Sequence, residues 1–157
     1  MKLIDVIPVT NMKIPLTGRT KEEIITELVE LIVESNPIID RNLVLKSIFE
    51  REATMSTGIG NGVAIPHGKS KGVKEITGSF GIIPQGIDFD ALDGEPVHIF
   101  FMIVSPEGPA GPHLRCLSRL SRLLNRDTFR EKLISAVSPE EARHIIEDGE
   151  RQFFEME

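Results

Sequence analysis

Tryptophan and tyrosine are absent, and the remaining aromatics make up only 5% of the 157 residues, which disfavours a stacked-ring platform of the kind that grips sugars. The single cysteine, Cys116, cannot form an internal disulfide, so the chain is not a disulfide scaffold. Its longest unbroken apolar run, Ile99 to Val104, is far below the roughly 18 residues of a membrane span. The first residues, Met1-Lys2-Leu3-Ile4-Asp5, lack the apolar core of a signal peptide. With the lone cysteine, this predicts a cytoplasmic setting. Positive charge is also in deficit: 18 Lys and Arg against 24 Asp and Glu leave a formal net charge of -6, which argues against nucleic acid or an anionic membrane as partner. What is present is ordinary for a globular protein, 40% hydrophobic and 27% charged, and the length suits one domain at roughly 150 residues per domain. We expect a single domain over residues 1–157, with its core from about 3 to 148 and a short carboxy-terminal tail.

Val6 to Leu16 carries Pro8 and Pro15 and reads as short extended segments with an edge strand. Thr20-Lys21-Glu22-Glu23 has the form of a capping box before apolar residues at helical spacing, and Ser35-Asn36-Pro37 stops that helix. Asp40 caps a second helix, expected to bury Leu43, Val44 and Ile48 and to end near Glu52. Val63 to Ile65, Ile76 to Ile83 and Val97 to Val104 read as strands, the second closed by Pro84-Gln85-Gly86. Leu114, Leu117, Leu120 and Leu124 place a helix from about His113. A short helix from Asp127 or Thr128 and a last one from Ser138-Pro139-Glu140-Glu141 to about Gly149 follow. The order implies an α/β fold, with one mixed sheet covered by helices on both faces.

Five glycines between Gly58 and Gly72 invite a nucleotide-binding reading, which fails on spacing. Gly62 to Gly68 leaves five residues, including Pro66, where a P-loop has four, and a strand follows where the dinucleotide fingerprint needs a helix. His67 is more informative. Pro66 stiffens the backbone before it and Gly68 leaves space after it. A neutral imidazole keeps one ring nitrogen free to attack phosphorus, the hydrogen bond to the other nitrogen deciding which. On spacing alone, a histidine merely exposed or bonded in a turn stands level with that reading.

The run from Glu52 to Gly68 resembles the active-site segment of enzyme IIA of the fructose/mannitol type, from the bacterial phosphoenolpyruvate-dependent sugar phosphotransferase system. Glu52, Ile59, Gly60, Val63, Ala64, Ile65, Pro66, His67 and Gly68 fit that signature without a departure, and the similarity extends loosely from about Leu3 to Asp148. The resemblance implies a sheet of about five strands flanked by helices and a cytoplasmic phosphohistidine carrier. His67 would take a phosphoryl group from the histidine phosphocarrier protein, at Nε2, and pass it to a sugar-specific enzyme IIB component. In the nitrogen-regulatory branch of the family, the alternative, the same phosphorylation would control binding to regulatory target proteins. Arg51 matches the family's arginine before the glycine loop, where a guanidinium can hold two phosphoryl oxygens; a helix-end cation is the plainer account. His113 matches the second active-site histidine. Thr57 offers a hydroxyl to phosphate, with turn formation an equal alternative.

No cofactor is implied, and no metal, since His113 and Cys116 lack further ligands. His98, inside an apolar strand, reads as a satisfied core histidine, and His144 has no evident partner. Asp88, Asp90 and Asp93 read as solvated turn residues. Arg115, Arg119, Arg122 and Arg126 form one helical stripe, read first as a solvated face and second as an electrostatic docking edge near His113.

Overall fold

The computed structural model describes residues 2–155. Beyond a short helix α1 (Leu3–Val6) and a 3-10 turn (Val9–Asn11), the expected edge strand is β1 (Met12–Lys13). Helices α2 (Lys21–Ser35) and α3 (Arg41–Thr54) follow, then β2 (Gly58–Gly60), β3 (Val63–Ala64), β4 (His67–Lys69), β5 (Thr77–Ile87) and β6 (Val97–Ser105). The chain continues through α4 (Gly111–Leu124), α5 (Asp127–Ile134), α6 (Pro139–Glu150) and a single π turn (Arg151–Glu155). The capping boxes form: Thr20 and Ser138 accept the amides of Glu23 and Glu141. Each glutamate reaches back one residue further than the cap, to the N–H of Arg19 and of Val137.

One mixed sheet runs β1-β5-β6-β3-β2, with β4 also on β6. β5 and β6 are antiparallel, whereas β3 and β4 both lie parallel on the same side of β6, at Ile99–Phe100 and at Ile103–Ser105. They amount to one strand line broken at Ile65-Pro66, which reconciles the expected five strands with six segments. Alternation along β6 sends Ile99, Phe101 and Ile103 into a core with α1, α4, α5 and α6, and Phe100, Met102 and Val104 into a second core with α2 and α3. Each fully buried Phe or Ile contributes about 1.5–3 kcal/mol, and both faces are filled.

Two expectations are corrected. β5 continues through Pro84 to Ile87, because the ladder shifts register between Ile82 and Ile87 and so spares the proline a hydrogen bond it cannot donate. Leu43 is 42% exposed; the buried stripe of α3 is Val44, Ile48 and Glu52, spaced at i, i+4, i+8. Leu114 is 60% exposed, and the buried face of α4 is His113, Cys116, Leu120, Leu123 and Leu124. In both helices a polar side chain, Glu52 in α3 and His113 in α4, takes a place on the buried face.

Candidate active site

The break between β3 and β4 sets the site. Gly60, Asn61 and Gly62 turn the chain with three successive positive φ angles, +103, +58 and +75°, a path glycine and asparagine tolerate. The chain then returns beside β6, where Ile65 N–H donates to Thr57 O and Pro66 O accepts from Ile103 N–H. His67 and Lys69 stand opposite Ile103 and Ser105, on the α4 face of the sheet. Gly68, between them, faces α3: a Cβ there would come within 3.3 Å of the Ser47 carbonyl and 3.4 Å of Ile48 Cδ1. The glycine thus lets strand and helix approach while its neighbours project the other way.

His67 Nδ1 lies 2.7 Å from the carbonyl oxygen of Ile65. A carbonyl only accepts, so Nδ1 carries the proton and Nε2 keeps its lone pair. Burial, aided by the Arg51 charge, holds the imidazole pKa below its ordinary 6.5, against the Ile65 bond and the Glu52 carboxylate, which pull upward. The neutral, nucleophilic form is therefore the resident one at neutral pH. The His113 ring is centred 5.6 Å from that of His67, tilted by 53°. His113 is buried, and its pKa is pushed down to about 4 by burial, with the His67 and Lys69 charges adding to it. Its Nδ1 lies 2.6 Å from Ser105 Oγ. Lys69 Nζ donates to Gly108 O at 2.9 Å, tying the loop that leads into α4 back to the strand that carries His67.

Arg51 lies in the last turn of α3, half-buried, and its Nη1 donates to Met55 O at 2.8 Å. This bond is the geometry of a helix-end cation, and the Arg51 charge also acts to lower the His67 pKa. Glu52 is buried: it accepts from Thr57 N–H (2.8 Å) and Thr57 Oγ1 (2.5 Å) and pairs with Lys21 Nζ at 2.8 Å. Thr57 is 2% exposed and its single hydroxyl proton is committed to Glu52, so the turn-forming alternative describes its geometry. Lys69 and Ser105 escaped the sequence reading. Lys69 had a signal, since a strand places residue i+2 on the face of His67; Ser105 reaches His113 only through the way the chain leaves β6 and enters α4, eight residues on.

Residues 5–149 match the family model described as "Phosphoenolpyruvate-dependent sugar phosphotransferase system, EIIA 2". The chain belongs to this family. It is 36% identical over 151 residues, 96% of its length, to the fructose-specific EIIABC component of Bacillus subtilis, and spans 24% of that longer protein. The crystal structure of nitrogen regulatory protein IIA-Ntr from Neisseria meningitidis superposes with a TM-score of 0.84 and 35% identity, covering 92% of this chain and 98% of that one. The mannitol enzyme IIA of Escherichia coli, solved in complex with phosphorylated enzyme IIB, shares the fold at a TM-score of 0.76 and 20% identity, over 88% and 95% of the two chains.

The other titratable groups of this EIIA chain are accounted for locally. His98 Nδ1 faces the carbonyls of Ile83 and Pro84 at 3.2 and 3.0 Å; His144 is exposed on α6. Asp88 and Asp93 accept backbone amides of Asp90, Asn61 and Glu95, which is turn chemistry. Burial lifts the Cys116 thiol to about 12, leaving it inert as a nucleophile. The arginine stripe packs in part against the last turn. Arg119 bonds Glu150 and lies over Phe154, Arg122 also lies over Phe154, and Arg126 over Phe153. Arg119 is half-buried by these contacts, while Arg115, Arg122 and Arg126 stay exposed. Among the described residues no three His, Cys, Asp or Glu side chains converge to hold a metal ion, and no helix is long and apolar enough to cross a membrane.

Proposed function

We propose that this EIIA chain is a cytoplasmic phosphohistidine carrier with His67 as its acceptor. The lone pair on His67 Nε2 attacks the phosphorus held on the histidine phosphocarrier protein; the new P–N bond forms as the donor's P–N bond breaks, and the donor imidazole recovers its electron pair. A nucleophile of an enzyme IIB component then attacks the same phosphorus, and the His67 P–N bond breaks as its electron pair returns to Nε2. The observation that carries this reading is the bond from His67 Nδ1 to the Ile65 carbonyl, which leaves Nε2 unprotonated, with the His113 ring centred 5.6 Å from that of His67. Arg51 supplies positive charge for the phosphoryl oxygens, for which guanidinium geometry is well suited, and His113 offers a hydrogen bond; cations and N–H donors of this kind can carry the charge without a metal. Thr57 serves by holding Glu52 and the glycine loop in place.

The test is incubation with phosphoenolpyruvate and the general phosphotransferase proteins. Wild type should take up one acid-labile, base-stable label, lost in His67→Ala and kept in His98→Ala; an unlabelled wild type refutes the assignment.

Similarity to the IIA-Ntr structure over nearly the whole of both chains favours a second reading, in which phosphorylation of His67 governs binding to regulatory proteins rather than sugar uptake. Labelled protein that donates to a fructose or mannitol IIB domain supports transport, and label retained in the presence of either supports regulation.

A further inference from the structure

We propose that Ser105 is a positioning residue that fixes His113 in the tautomer protonated on Nε2. The two facing imidazoles then present opposite polarity to a phosphoryl group, a lone pair from His67 and an N–H from His113. The inference rests on the proposed function for its role in transfer, but its proton assignment stands on local geometry.

Ser105 ends β6 and faces α4 because it continues the alternation Ile99, Phe101, Ile103. Both Ser105 and His113 are buried, and Oγ lies 2.6 Å from Nδ1. A hydroxyl has one proton to give. Among the described residues Ser105 Oγ has no other hydrogen-bond partner, the neighbouring contact to Ser70 N–H being made by the Ser105 carbonyl. Were Nδ1 protonated, it would donate to Oγ and leave the hydroxyl proton without an acceptor in a buried place, a costly outcome. With the hydroxyl donating to Nδ1, both groups are satisfied and the ring proton sits on Nε2. The contrast with His67 follows from the chemistry of the two anchors: a carbonyl can only accept and so protonates the Nδ1 it faces, whereas a serine can donate and so leaves its Nδ1 bare. Lys69, opposite Ser105 in the ladder and bonded to Gly108 O, keeps a cation beside His113, which further favours the neutral ring.

Long-range proton–nitrogen correlation NMR on the unphosphorylated, nitrogen-15-labelled protein at pH 7 reads each tautomer directly. The expected spectrum has His113 protonated at Nε2 and His67 at Nδ1. In Ser105→Ala, His113 should move to a mixture or to the Nδ1–H form while His67 is unchanged, and Ser105→Thr should restore the wild-type pattern. The initial rate of labelling by the phosphocarrier protein should fall about 10-fold in Ser105→Ala, well short of the 10²–10³ cost of removing a donor outright, and recover in Ser105→Thr. An Nδ1–H tautomer at His113 in wild type overturns the proposal, as does an unchanged tautomer in a folded Ser105→Ala. If wild type takes no label, the carrier reading fails, and the spectra still decide the role of Ser105.

Discussion

At the scale of single residues, burying His113 couples stability to pH in one direction. Its pKa falls from 6.5 in the unfolded chain to about 4 in the fold, so between those values the unfolded state binds more protons and stability rises with pH. At ~1.36 kcal/mol per pH unit, the contribution of this group is complete above pH 6.5 and about 3 kcal/mol of it is gone by pH 4; His67 moves in the same direction. Urea unfolding of wild type and His113→Asn at pH 7 and pH 4.5 checks the sign: the variant should lose distinctly less stability on acidification, and equal losses would contradict the assignment. Arg51 makes a kinetic prediction instead. Arg51→Gln keeps a donor for Met55 O but removes the charge, so labelling of His67 should slow by about 100-fold, within the range for loss of one charge-stabilising group, while the urea midpoint moves little.

Elements explain what single residues leave open, and the network under the glycine loop is the best case. Glu52 closes the buried stripe of α3 and, through Thr57 and Lys21, fastens β2 and α2 to that helix. Thr57→Val removes one hydroxyl and strands a carboxylate oxygen, a loss of about 1–3 kcal/mol, measurable as a lower urea midpoint; labelling should persist because Thr57 has no free donor to give phosphate. A variant of wild-type stability but with labelling abolished would return Thr57 to direct phosphate contact. The same scale shows where the sequence was legible. Pro66 and Gly68 drew attention to His67, but only the resemblance of the surrounding segment to a known family raised it above a turn histidine, whereas the sheet with helices on both faces followed from the order of periodic segments. Val44 and Ile48 of α3 lie in the core as their spacing suggested, whereas Leu43 is exposed and Glu52 and His113, polar but internally bonded, take places in the core. Ser105 was invisible for a different reason: its partner is set by the path of the loop from β6 into α4, which is not written in local periodicity.

For the whole molecule, the proposed carrier role requires a net charge of -6 to coexist with an anion at the site, where Arg51 acts electrostatically on His67 and Lys69 on His113. Other charged groups hold the far end of the chain together. Glu150, 3% exposed, accepts from the Leu3 N–H at 2.8 Å and from Arg119 at 2.6 and 3.0 Å, so one carboxylate clasps the amino-terminal helix, α4 and α6 together. The π turn beyond it lays Phe153 and Phe154 over Arg119, Arg122 and Arg126, each such contact adding about 0.5–1 kcal/mol at a partly exposed surface. Removing the carboxylate strands a partly buried guanidinium and a buried backbone N–H at once, so Glu150→Ala should lower unfolding free energy by about 3 kcal/mol. The initial labelling rate at a temperature where the variant remains folded should match wild type, because the clasp touches neither His67 nor Arg51. Urea titration and label uptake on the same preparation separate the two effects. A variant as stable as wild type would mean that the clasp contributes nothing net, and slowed labelling in a fully folded variant would show that the position of His113 is transmitted along α4 from its far side.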